Sequence, residues 1–206
     1  MTDNKTYDLW KGTYGEGIHL LDEQDEYPVA GYREVLKQVY GHVREASGKR
    51  VLDAGFGTGI LTKKLYQDGY DVSGMDMSEM IVEAGKEEMP KAKLVCCDYS
   101  LGMPLQFMRD DFDVIISTYG FHHMDHYEQM GLVKDMLRHL KPDGKVVIGG
   151  LAFESMKALK EFRKANKEKW LYENMYIVYG EIIKDFPQAQ WKQISKCAGI
   201  VTITKE

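Results

Sequence analysis

The spacing of apolar residues changes along the chain, and each change predicts a new structural element. Between residues 31 and 47 the apolar positions recur every three or four residues, as on the buried face of an amphipathic helix. From residue 50 onward, short apolar runs alternate with stretches of helical spacing. The runs are KRVLDAG, YDVSGMD, AKLVCCD, FDVIISTYG and GKVVIGG. This pattern predicts strands that alternate with helices.

Apolar strands that alternate with helices favour a parallel sheet covered on both faces. After this alternating part, helical spacing predicts one long helical region over 154 to about 186, ended by Pro187. The last stretch, AQWKQISKCAGIVTITKE, contains two β runs around Ala198 and Gly199. These runs predict an antiparallel hairpin that closes one edge of the sheet and raises the strand count to seven.

Composition and charge narrow the class of protein. The 206 residues suit one domain, because a single hydrophobic core usually organises about 100 to 200 residues. The net charge is −5 and no extended basic run is present, which argues against nucleic acid as a partner. The polar N-terminus is unlike a secretory signal, and no stretch approaches the roughly 18 apolar residues of a membrane span. We therefore expect a cytoplasmic protein without membrane binding.

The segment VLDAGFGTG, residues 51 to 59, is the strongest chemical signal, because it stands where a predicted strand meets a helix. Its glycines, Gly55, Gly57 and Gly59, let a ligand lie against the backbone, and the next helix offers unpaired N–H groups at its start. This pattern indicates a nucleotide-like cofactor. The spacing is G-x-G-x-G, whereas the NAD fingerprint is G-x-G-x-x-G, so a nicotinamide oxidoreductase is disfavoured.

In the segment from Asp53 to Gly59 the chain resembles the class I S-adenosylmethionine-dependent methyltransferases, whose first motif is an acidic residue, a small residue and G-x-G-x-G. The resemblance implies a Rossmann-like, doubly wound α/β fold. It also implies cofactor contacts at the ends of the next two strands. Asp76 would hold the ribose hydroxyls, Asp98 would lie near the adenine amino group, and Met77 and Tyr99 would flank the adenine.

The resemblance covers roughly residues 30 to 150 and extends weakly to YDLWKGTY near the N-terminus, which is similar to the lid of small bacterial methyltransferases known mainly from sequence. Trp10 and Tyr14 would then contact the cofactor. The implied organisation is a single domain over 1–206. It consists of a lid (1–30), a cofactor-binding core (31–150), and a helical insertion followed by the hairpin (151–206). The N-terminal aromatic residues that could cap the cofactor also include Tyr27 and Tyr32, although plain core packing would explain them equally.

The segment STYGFHHMDH, residues 117 to 126, follows the fourth strand, at the sheet edge where α/β proteins bind ligands. His122, His123 and Tyr119 are candidate bases toward a methyl acceptor, and a polar turn without chemistry is the alternative. We expect no metal, because adjacent histidines on a turn usually point apart and no cysteine is near. Cys96 and Cys97 are adjacent in sequence, which suggests neither a disulfide framework nor a zinc site.

The function implied is S-adenosylmethionine-dependent methyl transfer, by in-line displacement, to a small-molecule acceptor. The region from Trp170 to Phe186, with Tyr172, Tyr176 and Tyr179, is the expected source of acceptor specificity, although plain packing would explain these aromatics equally. The alternative is a non-catalytic S-adenosylmethionine-binding sensor or a subunit of a complex. Monomer and homodimer both remain open.

Overall fold

The computed structural model describes residues 26–171 and 175–205. In this part of the chain, a sheet of eight strands is flanked by six α-helices. The strands are β1 (Arg50–Ala54), β2 (Asp71–Asp76), β3 (Lys93–Cys96), β4 (Phe112–Thr118), β5 (Leu140–Phe153), β6 (Ile177–Val178), β7 (Gln190–Gln193) and β8 (Ala198–Thr204). The helices are α1 (Tyr32–Arg44), α2 (Ile60–Gln67), α3 (Glu79–Glu88), α4 (His126–Arg138), α5 (Met156–Ala165) and α6 (Tyr179–Asp185).

The sheet has the order β3-β2-β1-β4-β5-β8-β7, and β6 pairs with the end of β5. The pairings among β1 to β6 are parallel, whereas β8 runs antiparallel to both β5 and β7. The predicted α/β fold with a mostly parallel sheet and a C-terminal antiparallel hairpin is therefore confirmed. The strand order reverses between β1 and β4, and α/β proteins bind ligands at the carboxyl ends of the strands at such a point.

Neighbouring residues of the central strands are buried in two separate cores. Val51 of β1 packs with α1 and α2, whereas Leu52 packs with α4 on the opposite face. In β4, Val114 lies in the same core as Val51, and Ile115 lies in the same core as Leu52. Side chains alternate between the two faces of a strand, so strands that are apolar at successive positions require cover on both faces.

The long helical region predicted over 154 to 186 is wrong. The helix α5 ends at Ala165, and the chain later forms β6 and a separate helix, α6. β6 pairs with Ala152 and Phe153, so the chain returns to the sheet in the middle of the predicted helix. Strand pairing with a distant segment overrides local helical spacing here, because the pairing also buries Ile177 and Val178.

The C-terminal hairpin has its turn earlier in the sequence than predicted. Ala198 and Gly199 lie inside β8, where they pair with Leu151 and Gly150 of β5, and residues 194–197 form the connection. Gly199 is needed at its position because the ring of Trp191 from β7 covers it. A Cβ added there would lie 1.9 Å from the Trp191 ring.

Candidate functional site

A cleft of about 1020 Å³, measured out to its open mouth, lies at the carboxyl ends of β1, β2 and β4. The turn after β1, the end of β2, the segment after β4 and the start of α1 all contribute to its lining. Eight of the residues selected from the sequence line it: Tyr32, Gly55, Gly57, Asp76, Tyr99, Tyr119, His122 and His123. The cleft is thus at the point where the strand order reverses.

The turn between β1 and α2 depends on three glycines with left-handed backbone angles. The φ values are 74° at Gly55, 55° at Gly57 and 75° at Gly59, a region that other residues rarely adopt. A Cβ at Gly55 would lie 2.7 Å from the hydroxyl of Tyr99, whereas a Cβ at Gly57 would meet no atom within 4 Å. The turn therefore leaves open space at Gly57. Gly59 caps the start of α2 and does not line the cleft.

Asp76 joins this turn to the end of β2. One carboxylate oxygen accepts the backbone N–H of Gly57 at 2.9 Å, and the other accepts the N–H of Ser78 at 3.0 Å. The residue is buried yet lines the cleft. A carboxylate can accept several hydrogen bonds at once, so the group can bind backbone donors and ligand hydroxyls together.

Asp53 lies one strand away and is almost fully buried. Its Oδ2 accepts the hydroxyl proton of Thr62 at 2.6 Å, while no hydrogen-bond partner for Oδ1 is found among residues 26–171 and 175–205. Burial raises the pKa of Asp53 to about 7, and the negative charge of Asp76 adds to this effect, whereas the bond from Thr62 opposes it. An orphaned buried carboxylate oxygen is costly unless a ligand or water satisfies it.

Of the three residues that the resemblance assigned to the adenine, only Tyr99 lines the cleft. Asp98 is exposed, accepts the N–H and the hydroxyl of Ser100, and caps a short 3₁₀ turn; it does not line the cleft. Met77 is also exposed and outside the lining. Tyr99 is buried, and its hydroxyl points at Gly55. Trp10 and Tyr14 lie outside the described residues.

His122 and His123 form a 3₁₀ turn with Phe121, and their rings lie side by side with centroids 3.9 Å apart. The expectation that adjacent histidines point apart is therefore wrong, because both side chains turn into the same cleft. His122 is buried beneath, whereas His123 is exposed toward the opening. No group of three or more metal-binding side chains occurs in the described part of the chain.

The surroundings of both imidazoles favour the neutral form, because they lower the pKa of each ring. Burial lowers the pKa of His122 well below the ordinary value near 6.5, and a charge on His123 would lower it further. Although His123 keeps an exposed surface, desolvation by the protein around its ring also lowers its pKa, and the carboxylate of Asp76 partly opposes that shift. A neutral imidazole can accept a proton, so the turn can act as a base.

Two aromatic side chains, those of Tyr32 and Tyr119, also line the cleft. Tyr119 has a left-handed backbone with φ of 56°, which is unusual for a residue with a Cβ and is found most often at functional sites. Its ring packs against that of Tyr32 with the centroids 5.1 Å apart. Of the N-terminal aromatics within the described residues, Tyr32 therefore lines the cleft, whereas Tyr27 packs against Phe162 and Trp170.

The region from Trp170 to Phe186, which was expected to determine acceptor specificity, contributes no residue to the lining of the cleft within the described part of the chain. Tyr176 packs on Trp170, and the hydroxyl of Tyr179 donates to Ala189, so neither side chain lines the cleft; Tyr172 lies outside the described residues. The sequence analysis also missed Ile60, an exposed apolar residue of the lining at the start of α2. Its position directly after the glycine motif was the signal that could have identified it.

Comparison with known proteins agrees with this geometry. A family model described as "Methyltransferase domain" matches residues 51–144. An uncharacterized methyltransferase of Oceanobacillus iheyensis is 32% identical over 185 residues, which covers 86% of this chain and 82% of that protein. A second uncharacterized methyltransferase, from Geobacillus kaustophilus, is 33% identical over 164 residues, which covers 79% of this chain and 71% of that protein.

The chain belongs to this family of methyltransferases. Among solved structures, this methyltransferase is similar to magnesium protoporphyrin IX methyltransferase from Synechocystis with bound S-adenosylhomocysteine, with a TM-score of 0.73 and 16% identity over 98% of this chain and 95% of that one. It is also similar to a TehB-like methyltransferase from Corynebacterium glutamicum, with a TM-score of 0.61 and 18% identity over 97% and 100% of the two chains. At these identities the likeness concerns the fold. In the described residues, no helix is long and apolar enough to span a membrane.

Proposed function

We propose that the chain binds S-adenosylmethionine beside the glycine turn and transfers its methyl group to a small-molecule acceptor. The observation that supports this best is the pair of buried carboxylates, Asp53 and Asp76, on neighbouring strands next to that turn. Two acids near a turn with open space at Gly57 suit a ligand that has hydroxyl donors and cationic groups.

The cofactor-binding residues follow from this arrangement. Asp76 would accept the ribose hydroxyls, and Gly55, Gly57 and Gly59 would let the cofactor approach the backbone. Asp53 would become ionised beneath a cationic group of the cofactor, directly or through water. Met77, Asp98 and Tyr99 would contact the adenine, as the resemblance implies, and Trp10 and Tyr14 would cover the site.

When bound, S-adenosylmethionine supplies an electrophilic methyl group on a sulfonium sulfur. The chain's own contribution is to hold an acceptor in line and to exclude water. Such positioning can lower the barrier by about 7 to 11 kcal/mol. Tyr32 and Tyr119 would pack against the acceptor, and His123, the exposed imidazole, would take a proton from an acceptor that has one to lose.

Two measurements test the proposal. Calorimetric titration with S-adenosylhomocysteine should show binding by the wild type and weaker binding by Asp76→Ala. Incubation with cofactor labelled on the methyl group and a whole-cell extract should then produce a labelled small molecule, identified by mass spectrometry. Label found only in protein or nucleic acid would contradict the acceptor class. Binding without any transfer would instead support the sensor or complex subunit.

A further inference from the structure

The side chain of Gln129, in the first turn of α4, is buried and makes an unusual set of hydrogen bonds. Its amide nitrogen, Nε2, donates to the carbonyl oxygens of Phe121 and Met124 at 3.0 Å each, and to that of Met175 at 3.2 Å. An amide nitrogen has two hydrogens, so one of them is shared between acceptors. One side chain therefore joins three points of the backbone.

Two of those carbonyls flank the histidine pair. Phe121 begins the 3₁₀ turn, and Met124 directly follows His123. The third belongs to Met175, which lies two residues before the start of β6. The same two segments are also joined directly, because the backbone N–H of Met175 donates to the carbonyl of His122 at 2.9 Å. The histidine turn and the chain leading to β6 thus form one unit around the Gln129 amide.

The amide itself is held by a rigid helix start. Asp125 caps α4 by accepting the N–H of Glu128, and the Glu128 side chain accepts the N–H of Asp125 in return. The backbone N–H of Gln129 donates to the carbonyl of Asp125 at 2.9 Å. A capping box of this kind fixes the first turn of a helix. The backbone that carries the Gln129 side chain is therefore fixed by contacts outside the cleft.

We propose that Gln129 is a positioning residue that holds His122 and His123 in the cleft and the chain before β6 against them. This role rests on the proposed function, in which the histidine turn faces the methyl acceptor. Without the amide, the carbonyls of Phe121 and Met124 lose a buried donor, and the turn is free to move toward water. The histidines would then no longer have a fixed place relative to the acceptor.

The test is a substitution that keeps the size of the side chain and removes its donor, Gln129→Met. Gln188→Met is the matched control, because the Gln188 amide donates to the carbonyl of Thr204 beside the C-terminal hairpin. The ring signals of His122 and His123 are followed by NMR through a pH titration, and the Kd of S-adenosylhomocysteine is measured for each variant. The signals are assigned with His122→Asn and His123→Asn.

In Gln129→Met we expect both histidine signals to shift and both pKa values to rise toward the ordinary range, with little change in Kd. Gln188→Met should leave the titration unchanged. If Gln129→Met does not fold, Gln129→Asn is measured in the same way and should show a smaller shift of the same sign. An unchanged titration in a folded Gln129 variant, or an equal shift in Gln188→Met, would overturn the proposal. Failure of the wild type to bind S-adenosylhomocysteine would instead contradict the proposed function.

Discussion

The carboxylate of Asp76 accepts the backbone N–H of Gly57 at 2.9 Å, although 19 positions separate the two residues in sequence. The same carboxylate also accepts the N–H of Ser78, so one buried acid connects the turn after β1 to the turn after β2. The shape of the glycine turn therefore depends on an acid from the neighbouring strand. This dependence makes Asp76 important before any ligand binds.

We expect Asp76→Ala to weaken the binding of S-adenosylhomocysteine by roughly one to two decades in Kd, since hydrogen bonds to a charged group contribute about 1.5 to 3 kcal/mol. Asp98→Ala should have a milder effect. Calorimetric titration measures both. Asp71→Ala, at the exposed start of the same strand, is the control and should bind like the wild type. An unchanged Kd in Asp76→Ala would refute the ribose role.

Cofactor binding should depend on pH through Asp53. Burial raises the pKa of this carboxyl to about 7, so below that pH the free protein holds it largely protonated. A cationic ligand favours the ionised form, so binding should release a proton, and affinity should rise with pH until it levels off above that value. Titrations in buffers of different ionisation enthalpy measure the released proton. Asp53→Asn should bind more weakly and show a flat profile; a profile that keeps the wild-type slope would exclude Asp53 as its source.

The buried histidine should make the folded state sensitive to acid. Burial lowers the pKa of His122 below its unfolded value, so the unfolded chain binds the proton more readily. The contribution of His122 to the free energy of unfolding is therefore greatest above about pH 6.5, and it declines as the pH falls below that value. Asp53 has a raised pKa and acts with the opposite sign, so the difference between wild type and His122→Asn isolates the histidine. Urea denaturation at several pH values should show this difference shrinking in acid, and a difference independent of pH would contradict the prediction.

A pair of glycine substitutions tests the hairpin packing. In Gly199→Ala the new methyl group meets the Trp191 ring, and such overpacking costs about 1 to 3 kcal/mol of unfolding free energy. In Gly131→Ala, on the exposed side of α4, the new Cβ meets no atom within 4 Å. That variant should be more stable than the wild type by about 0.5 to 1 kcal/mol, because alanine favours helices. Chemical denaturation followed by Trp fluorescence measures both variants against the wild type, and a Gly199→Ala variant as stable as the wild type would show that Trp191 moves aside freely.

The sequence by itself determined the alternation of strands and helices, the seven-strand path with its C-terminal hairpin, and the glycine motif. These features depend on local information, namely side-chain period and the backbone freedom of glycine. Asp53 and Asp76 could be predicted as cofactor-binding residues from the sequence, because each lies at or next to the carboxyl end of a predicted strand. The carboxyl ends of parallel strands meet at one edge of a sheet, so strand register alone brings such residues near one cleft.

Only the tertiary structure decided the contacts between segments distant in sequence. It interrupted the predicted helix over 154 to 186 with β6, whose pairing with β5 accompanies the burial of Ile177 and Val178. It also brought the rings of His122 and His123 together. The amide of Gln129 donates a hydrogen bond to the carbonyl of Met175, which lies 46 residues further along the chain. Hydrogen bonds over such distances leave no periodic pattern in the sequence, since they depend on where whole elements pack.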